Sequence, residues 1–244
     1  MEATDKSTSF TFRFADLERN FSEVLENGYR VIACEEYLAY RRECRTERVL
    51  VNRVDIDVSC KKARRLARIF NALGIRASFF VRLHANEYNP FAFENYRCLK
   101  YIRDSGHEIG YHSEVMDEAA IWDESAEACL RRDVDVLSRM FGVVVRGVAS
   151  HGGLTGINNL DFWRGRKPSD LGLLYEAYDS QPEFGLFHNS LYVSDSEWTR
   201  WKCYDKGVLM PGDTRTLGEH SRDAHPVLYS LIHPETYYDE HFYE

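Results

Sequence analysis

Long apolar runs and a leader-like N-terminus are both missing from this sequence of 244 residues. No run of about 18 apolar residues occurs, which argues against an ordinary membrane span. Residues 1–10 have no basic segment followed by an apolar stretch, so a secretory signal is not expected. These absences predict a cytoplasmic protein that does not insert into a membrane.

Paired cysteines are also missing. The six cysteines are scattered along the chain, and no two of them form a Cys-x-x-Cys pair. In a chain without an export signal we expect reduced thiols, mostly buried as small apolar side chains. A structural zinc site built on cysteine therefore has little support from the sequence.

Several familiar active-site motifs do not occur. There is no GxGxxG, GxxxxGK[ST] or GxSxG, so dinucleotide binding, phosphate-loop chemistry and serine-triad hydrolysis lack their usual sequence basis. The zinc-ligand spacings HExxH and HxxxH are absent as well. The net charge of −8 disfavours nucleic acid as a partner, because an acidic surface repels the phosphate backbone.

What the sequence does contain is a regular alternation of strand-like and helix-like segments. Apolar and β-branched runs predict strands, and apolar stripes at helical spacing predict helices. Seven or eight of the predicted strands, separated by helices, favour an α/β fold whose parallel sheet closes into a barrel, in a single domain. The predicted strands span residues 10–14, 29–33, 49–57, 76–83, 108–112, 143–149, 173–177, 185–193 and 227–232, and the predicted helices span residues 15–27, 59–74, 91–103 and 117–141.

Two aspartates end the strand predicted at 49–57. Side chains alternate between the faces of a strand, so Asp55 and Asp57 project to the same side. Two close carboxylates raise each other's pKa unless a cation lies between them. A divalent metal on one carboxylate would leave the other as a general base. The plainer alternative is a pair of exposed acids at a strand end.

Three histidines also end or directly follow predicted strands. They are His112, His151 and His233, and imidazole is the commonest neutral ligand for zinc and related ions. Gly152 and Gly153 would let the backbone after His151 approach a ligand closely. A single histidine is more often a structural residue, so the hypothesis of a site depends on the coincidence of these groups.

Taken in chain order, these motifs resemble the polysaccharide deacetylase superfamily, which shares the NodB homology domain. The most specific stretch is GHEIGYHSE at residues 106–114, and Asp55-Ile56-Asp57 and Leu231-Ile232-His233-Pro234 lie in the expected order. The resemblance covers residues 49–234. It is greatest to the deacetylase-like proteins of surface-polysaccharide clusters of the O-antigen or capsule type, through residues 150–152, 175–178 and 192–196.

The resemblance implies a distorted (β/α)7 barrel and a divalent metal ion, usually zinc. The implied activity is removal of an acetyl group, N-acetyl more than O-acetyl, from a sugar or sugar precursor. Carried over by position, Asp55 is the general base, and His233 protonates the leaving amine. Asp57 and His112 are metal ligands.

The sequence departs from the family pattern at Met116, where a second histidine ligand usually stands. A thioether is a poor ligand for zinc in an oxygen and nitrogen site. We expect His151 to replace the missing histidine, with Glu114 and Asp117 as alternatives. The motif that usually supplies an arginine and a proline near this region is also altered, which leaves the orientation of the general base open.

Substrate contacts are the least specified part of the prediction. Glu114, Asp195 and Trp201 are the candidates, although Asp195 could cap a turn and a loop tryptophan could be a local hydrophobic anchor. The expected partner is an acetylated sugar or a nucleotide- or lipid-linked sugar. Two other functions stay open: an amidase acting on linear or cyclic amides, and a non-catalytic glycan-binding protein with a degenerate metal site.

Overall fold

A computed structural model of the chain describes residues 11–43 and 46–241. Over these residues the protein has the predicted α/β fold with a mostly parallel sheet. Residues 1–10, the subject of the leader prediction, lie outside the described residues, as does Cys44. None of the helices in the described part is long and apolar enough to cross a membrane.

Within the described part of the chain, ten strands form one sheet. Its hydrogen-bonded order is β6-β5-β4-β3-β2-β10-β7-β8-β9, and β1 pairs with the first half of β2. In chain order the strands are β1 (Arg30–Ile32), β2 (Val49–Ile56), β3 (Ser78–Val81), β4 (Glu108–Ser113), β5 (Gly147–Ser150), β6 (Tyr175–Glu176), β7 (Leu191–Ser194), β8 (Lys202–Asp205), β9 (Val208–Leu209) and β10 (Val227–Ile232).

The strands from β6 through β7 along this path all run parallel, whereas β8 and β9 are antiparallel additions. The carboxyl ends of the parallel strands therefore lie along one edge of the sheet. In the residues that the structure describes, no strand pair joins β6 to β7. Closure into a (β/α)7 barrel, and the single-domain organisation, stay predictions.

Helices connect the strands and cover the sheet. Helix α3 illustrates why they form, because the Ser59 hydroxyl accepts a hydrogen bond from the Lys62 amide at its start and its apolar stripe, including Leu66 and Phe70, is buried. The helices are α1 (Phe14–Glu26), α2 (Cys34–Arg42), α3 (Cys60–Ala72), α4 (Phe93–Asp104), α5 (Val115–Trp122), α6 (Ala126–Phe141), α7 (Leu186–Asn189) and α8 (Leu217–Ser221).

The structure corrects three of the predicted strands and helices. The strand predicted at 10–14 is wrong over its described part, because α1 begins at Phe14 and only Arg13 makes a strand-like bridge. The helix predicted at 117–141 is two helices, which separate at Asp123 with a left-handed φ of 56°. The strand predicted at 185–193 starts as helix α7. In each case apolar spacing indicated burial correctly but not the local backbone conformation.

Candidate metal centre at the carboxyl edge of the sheet

The end of β2 carries the two aspartates singled out in the sequence. The Asp55 and Asp57 carboxylates both approach His112, at 3.4 and 3.2 Å from its Nε2 atom. Asp55 is almost fully buried, whereas the Asp57 side chain retains 18% exposure. The alternation of side chains along a strand therefore places both carboxylates on one side, as predicted.

His112 lies on β4, the second strand over from β2. Its Nδ1 atom is 2.8 Å from the Ala149 carbonyl oxygen, which can only accept, so Nδ1 carries the proton. In the neutral ring the Nε2 atom then carries a lone pair, and this atom faces the two carboxylates. Burial would lower the pKa of His112, but the negative charges of Asp55 and Asp57 raise it. The Nε2 atom is therefore placed to bind a cation.

His151 directly follows β5 and faces the same point. Its Nε2 atom lies 3.8 Å from Asp57 Oδ1, and its Nδ1 atom lies 3.2 Å from Glu114 Oε1. Glu114 is in turn fixed by Arg82, whose Nη2 and Nε atoms donate to Oε1 at 2.8 and 3.1 Å. A carboxylate beside Nδ1 favours the tautomer with its proton there, which leaves Nε2 free to act as a ligand.

These side chains fit a divalent metal ion. One ligand atom each from Asp57, His112 and His151 lies within 4.8 Å of the others. The Asp57 Oδ1 atom is buried and has no hydrogen-bond partner among the described residues. Two imidazole nitrogens and a carboxylate oxygen are a common donor set for catalytic zinc, in which one position stays open to water or substrate.

Met116, at the position expected for a histidine ligand, serves the core instead. Its side chain is half-buried and packs against the main apolar cluster. Its backbone amide donates to Asn159 Oδ1 at 2.9 Å. The structure thus brings His151, the replacement expected from the sequence, close to Asp57 and His112.

Asp117, one of the alternative ligands, anchors the loop after His151. Its carboxylate accepts hydrogen bonds from the Leu154 and Thr155 amides, from the Thr155 hydroxyl and from Asn159 Nδ2, at 2.7 to 3.0 Å. Hydrogen bonding to the ionised form lowers the pKa of Asp117, although burial opposes this effect. This loop is therefore fastened to the start of α5, close to His151.

His233 follows β10 and is positioned by Asp195. Its Nδ1 atom lies 2.6 Å from Asp195 Oδ1, and its backbone amide donates to the same carboxylate. Its Nε2 atom lies 3.8 Å from Asp57 Oδ2. Burial would lower the pKa of His233, but the Asp195 carboxylate outweighs it and raises the pKa to about 10. The ring is therefore protonated at neutral pH.

Arg53 orients the carboxylate of Asp55. Its Nε and Nη2 atoms donate to the two Asp55 oxygens at 2.8 and 2.6 Å, and its guanidinium lies 4.6 Å from the centre of the Tyr178 ring. Burial would raise the pKa of Asp55, but the charge of Arg53 lowers it and keeps the carboxylate ionised. The arginine comes from the same strand as the aspartate that it holds.

The three candidate substrate contacts are all buried. Glu114 and Asp195 are buried behind His151 and His233, which they orient. Trp201 is only 2% exposed, and its ring packs 5.8 Å from Phe12. It is a buried hydrophobic anchor, the plainer of the two interpretations of a loop tryptophan.

Sequence reasoning missed three residues of the site. The i, i+2 alternation that paired the aspartates also applies to Arg53 and would have found it. Arg82 lies within the strand predicted at 76–83 and directly follows β3. Glu235 follows His233 by two residues and accepts from the Asp57 amide at 3.3 Å, and burial together with the charge of Asp57 raises its pKa to about 7.

Comparison with known proteins gives matches among solved structures alone. Neither a family model nor a curated protein matches the chain. The Streptococcus pyogenes deacetylase PplD in complex with acetate is 12% identical with a TM-score of 0.43, covering 63% of this chain and 67% of that one. The chitin deacetylase from Colletotrichum lindemuthianum is 16% identical with a TM-score of 0.41, covering 76% and 73%.

A third match is a mutant of BA3943, a CE4 family pseudoenzyme with restored enzymatic activity. It is 15% identical with a TM-score of 0.45, and the match covers 76% of this chain and 56% of that one. Because all three TM-scores are below 0.5, the functional proposal for this protein rests on the geometry of its own site.

Proposed function

We propose that the protein is a metal-dependent hydrolase of the polysaccharide deacetylase type, which removes an acetyl group from a sugar. The observation that carries the proposal is the convergence of Asp57, His112 and His151 on one point, flanked by Asp55 and His233. Hydrolysis of an amide needs a polarised carbonyl, a deprotonated water and a proton for the leaving nitrogen. Together, these five side chains can meet all three requirements.

Asp57, His112 and His151 would hold the ion, for which zinc is the best match to the donor set. When bound, the ion would lower the pKa of a water molecule and polarise the acetyl carbonyl. Arg82 supports this arrangement at one remove, because it fixes Glu114 against His151 and donates to the Asp57 carbonyl oxygen at 3.0 Å.

Asp55 acts as the general base. Its Oδ2 atom lies 3.4 Å from His112 Nε2, so it borders the metal group without being needed as a ligand. Arg53 occupies one lone pair on each Asp55 oxygen and leaves others to accept the proton of the attacking water. Because Arg53 keeps Asp55 ionised, the base is present in its active form at neutral pH.

His233 acts as the general acid. Its protonated ring would give the Nε2 proton to the departing nitrogen as the carbon–nitrogen bond breaks, yielding the free amine and acetate. Asp195 compensates the imidazolium charge before this step and fixes the direction of the ring. A strongly basic leaving amine needs this proton, which favours an N-acetyl over an O-acetyl substrate.

The substrate that we propose is an acetylated amino sugar, free or carried on a nucleotide or a lipid, used in surface polysaccharide synthesis. Motif resemblance supports this choice of substrate. The test is acetate release from a panel of such sugars by protein loaded with one equivalent of zinc. We expect release from at least one sugar and loss of at least 100-fold in Asp55→Asn, consistent with removal of a general base.

Two outcomes would contradict the proposal. If zinc-loaded protein releases no acetate from any sugar but hydrolyses linear or cyclic amides in a parallel screen, the amidase is the correct function. If it does neither and zinc binding is unchanged in His112→Ala, the site is not a metal centre. Asp239→Asn is the matched control, since this exposed acid pairs with Arg65 on the surface and should leave activity unchanged.

A further inference from the structure

A second group of potential metal ligands lies in the segment after β7, which the sequence left without a role. Three side chains of this segment each offer a ligand atom, and these atoms lie within 4.8 Å of one another. They are Cys203 on β8, Asp213 in the loop after β9, and His220 on α8. The Cys203 sulfur is 3.2 Å from His220 Nε2, and Asp213 Oδ1 is 3.5 Å from the same nitrogen. The thiol and the carboxylate thus both lie close to the Nε2 atom of the His220 imidazole.

The three groups are shielded from water in a way that favours binding of a cation. Cys203 and His220 are both fully buried, and the Asp213 side chain is 13% exposed. The proposed ligands therefore face one another inside the protein and not toward solvent.

Further donors lie next to this group. His220 also belongs to a set with Asp223 and His225, whose ligand atoms are likewise within 4.8 Å of one another. Arg215 bridges the two aspartates, at 2.8 Å from Asp213 Oδ2 and 2.7 Å from Asp223 Oδ2. The two sets share His220.

The local charges match a divalent ion. Two carboxylates and one guanidinium leave a single net negative charge on Asp213, Asp223 and Arg215. If Cys203 binds as a thiolate, the total becomes two negative charges, which one divalent cation neutralises. The Cys203 sulfur also lies 3.7 Å from the Arg215 carbonyl oxygen, in addition to its contact with His220.

We propose that Cys203, Asp213 and His220 bind a structural zinc ion that is separate from the candidate catalytic ion. Sulfur and nitrogen donors favour zinc over magnesium or calcium. The ion would cross-link β8, the loop after β9 and α8, a helix of five residues that packs on α1. No sequence motif indicates this site, because its ligands come from three separate elements and not from a Cys-x-x-Cys turn.

Cobalt substitution tests this site independently of the catalytic one. Cobalt bound by a thiolate gives a charge-transfer absorption band in the near ultraviolet, whereas the group of Asp57, His112 and His151 contains no sulfur. We expect the band in the full-length protein and its loss in Cys203→Ser. Cys98→Ser is the matched control, because Cys98 is equally buried but belongs to neither ligand group. The cobalt–thiolate band should persist in this variant.

Zinc content gives the second measurement. Protein purified without chelator should hold two zinc ions per chain, falling to one in Asp213→Asn and to one in His151→Ala. Asp213 is partly exposed, so its variant should fold even if Cys203→Ser does not. Absence of the cobalt–thiolate band, together with unchanged zinc content in Asp213→Asn, would overturn the proposal and leave the group as a hydrogen-bonded network around Arg215.

Discussion

Replacing Arg53 by methionine would test the proposed arrangement of the general base most directly. The Arg53 and Asp55 side chains are 1% and 3% exposed, and two hydrogen bonds at 2.8 and 2.6 Å join them. Methionine retains much of the apolar volume beside Tyr178 but leaves the Asp55 charge buried without its partner. Breaking such a pair typically costs about 3–5 kcal/mol.

The expected loss is large enough to measure by thermal unfolding. For a chain of this length, 1 kcal/mol shifts the melting temperature by about 2–4 °C, so Arg53→Met should melt roughly 6–20 °C lower. The measurement should be made at pH 7 with a chelator present, because a cation bound near Asp55 would replace part of the lost compensation. Asp55→Asn in the Arg53→Met background should recover much of the loss, since a neutral amide needs no counter-charge.

Arg65→Met is the matched control. Arg65 pairs with Asp239 at 3.2 Å, but both side chains are about half exposed, and such pairs contribute roughly 0–1 kcal/mol. A melting temperature within a few degrees of the wild type for Arg53→Met, or no recovery in the double variant, would refute the view that Arg53 compensates a buried, ionised Asp55.

Three further predictions concern other parts of the site and the opposite end of the sheet. His151→Ala should lower the affinity for zinc at least 10-fold by calorimetry, whereas an unchanged affinity would exclude His151 as a ligand. Asp195→Asn should lower the pKa of His233, so the alkaline limb of the pH–rate profile should move to lower pH; a profile that stays in place would separate His233 from acid catalysis. Glu108, whose pKa burial raises to about 7, should contribute stability that is present below its unfolded pKa of about 4.3 and is lost as pH rises through 7. Denaturant unfolding of Glu108→Gln should therefore lack that loss between pH 5 and 8.

The parts of the fold that the sequence specifies well are those with strong local patterns. Strand β10 has the bounds 227–232 in both the prediction and the structure, and β2 differs only at its last residue. Both strands are rich in branched aliphatic side chains, and each is followed by a polar residue. Helix α2 was missed, because only Cys34, Tyr37 and Leu38 are buried and its apolar stripe is correspondingly weak. The small elements β8, β9 and α8 depend on their neighbours for burial and have no periodicity of their own.

The residues of the site also fall into those that local patterns indicate and those that they do not. Strand alternation and strand ends are local features, and they indicated that Asp55, Asp57, His112 and His233 should meet. What the sequence could not supply is the set of long-range partners that fix these side chains. Asp195 stands 38 residues before His233 in the sequence, yet it determines the protonation state of that histidine. A distance of this kind depends on strand order, which no local pattern encodes.

In the proposed metal centre, His151 takes the role of the histidine expected at position 116, and the donor set stays two imidazoles and one carboxylate. The residue that replaces the expected histidine, Met116, is turned toward the core, and its neighbour Asp117 fastens the loop that follows His151. Glu114, at the end of β4, faces His151 Nδ1 and sets the tautomer that leaves Nε2 available. Glu114 and Asp117 thus hold His151 and the loop after it in place, directly beyond the end of β5. Restoring histidine at position 116 alone should therefore add little to zinc affinity while His151 is present, because the half-buried Met116 side chain packs against the apolar core.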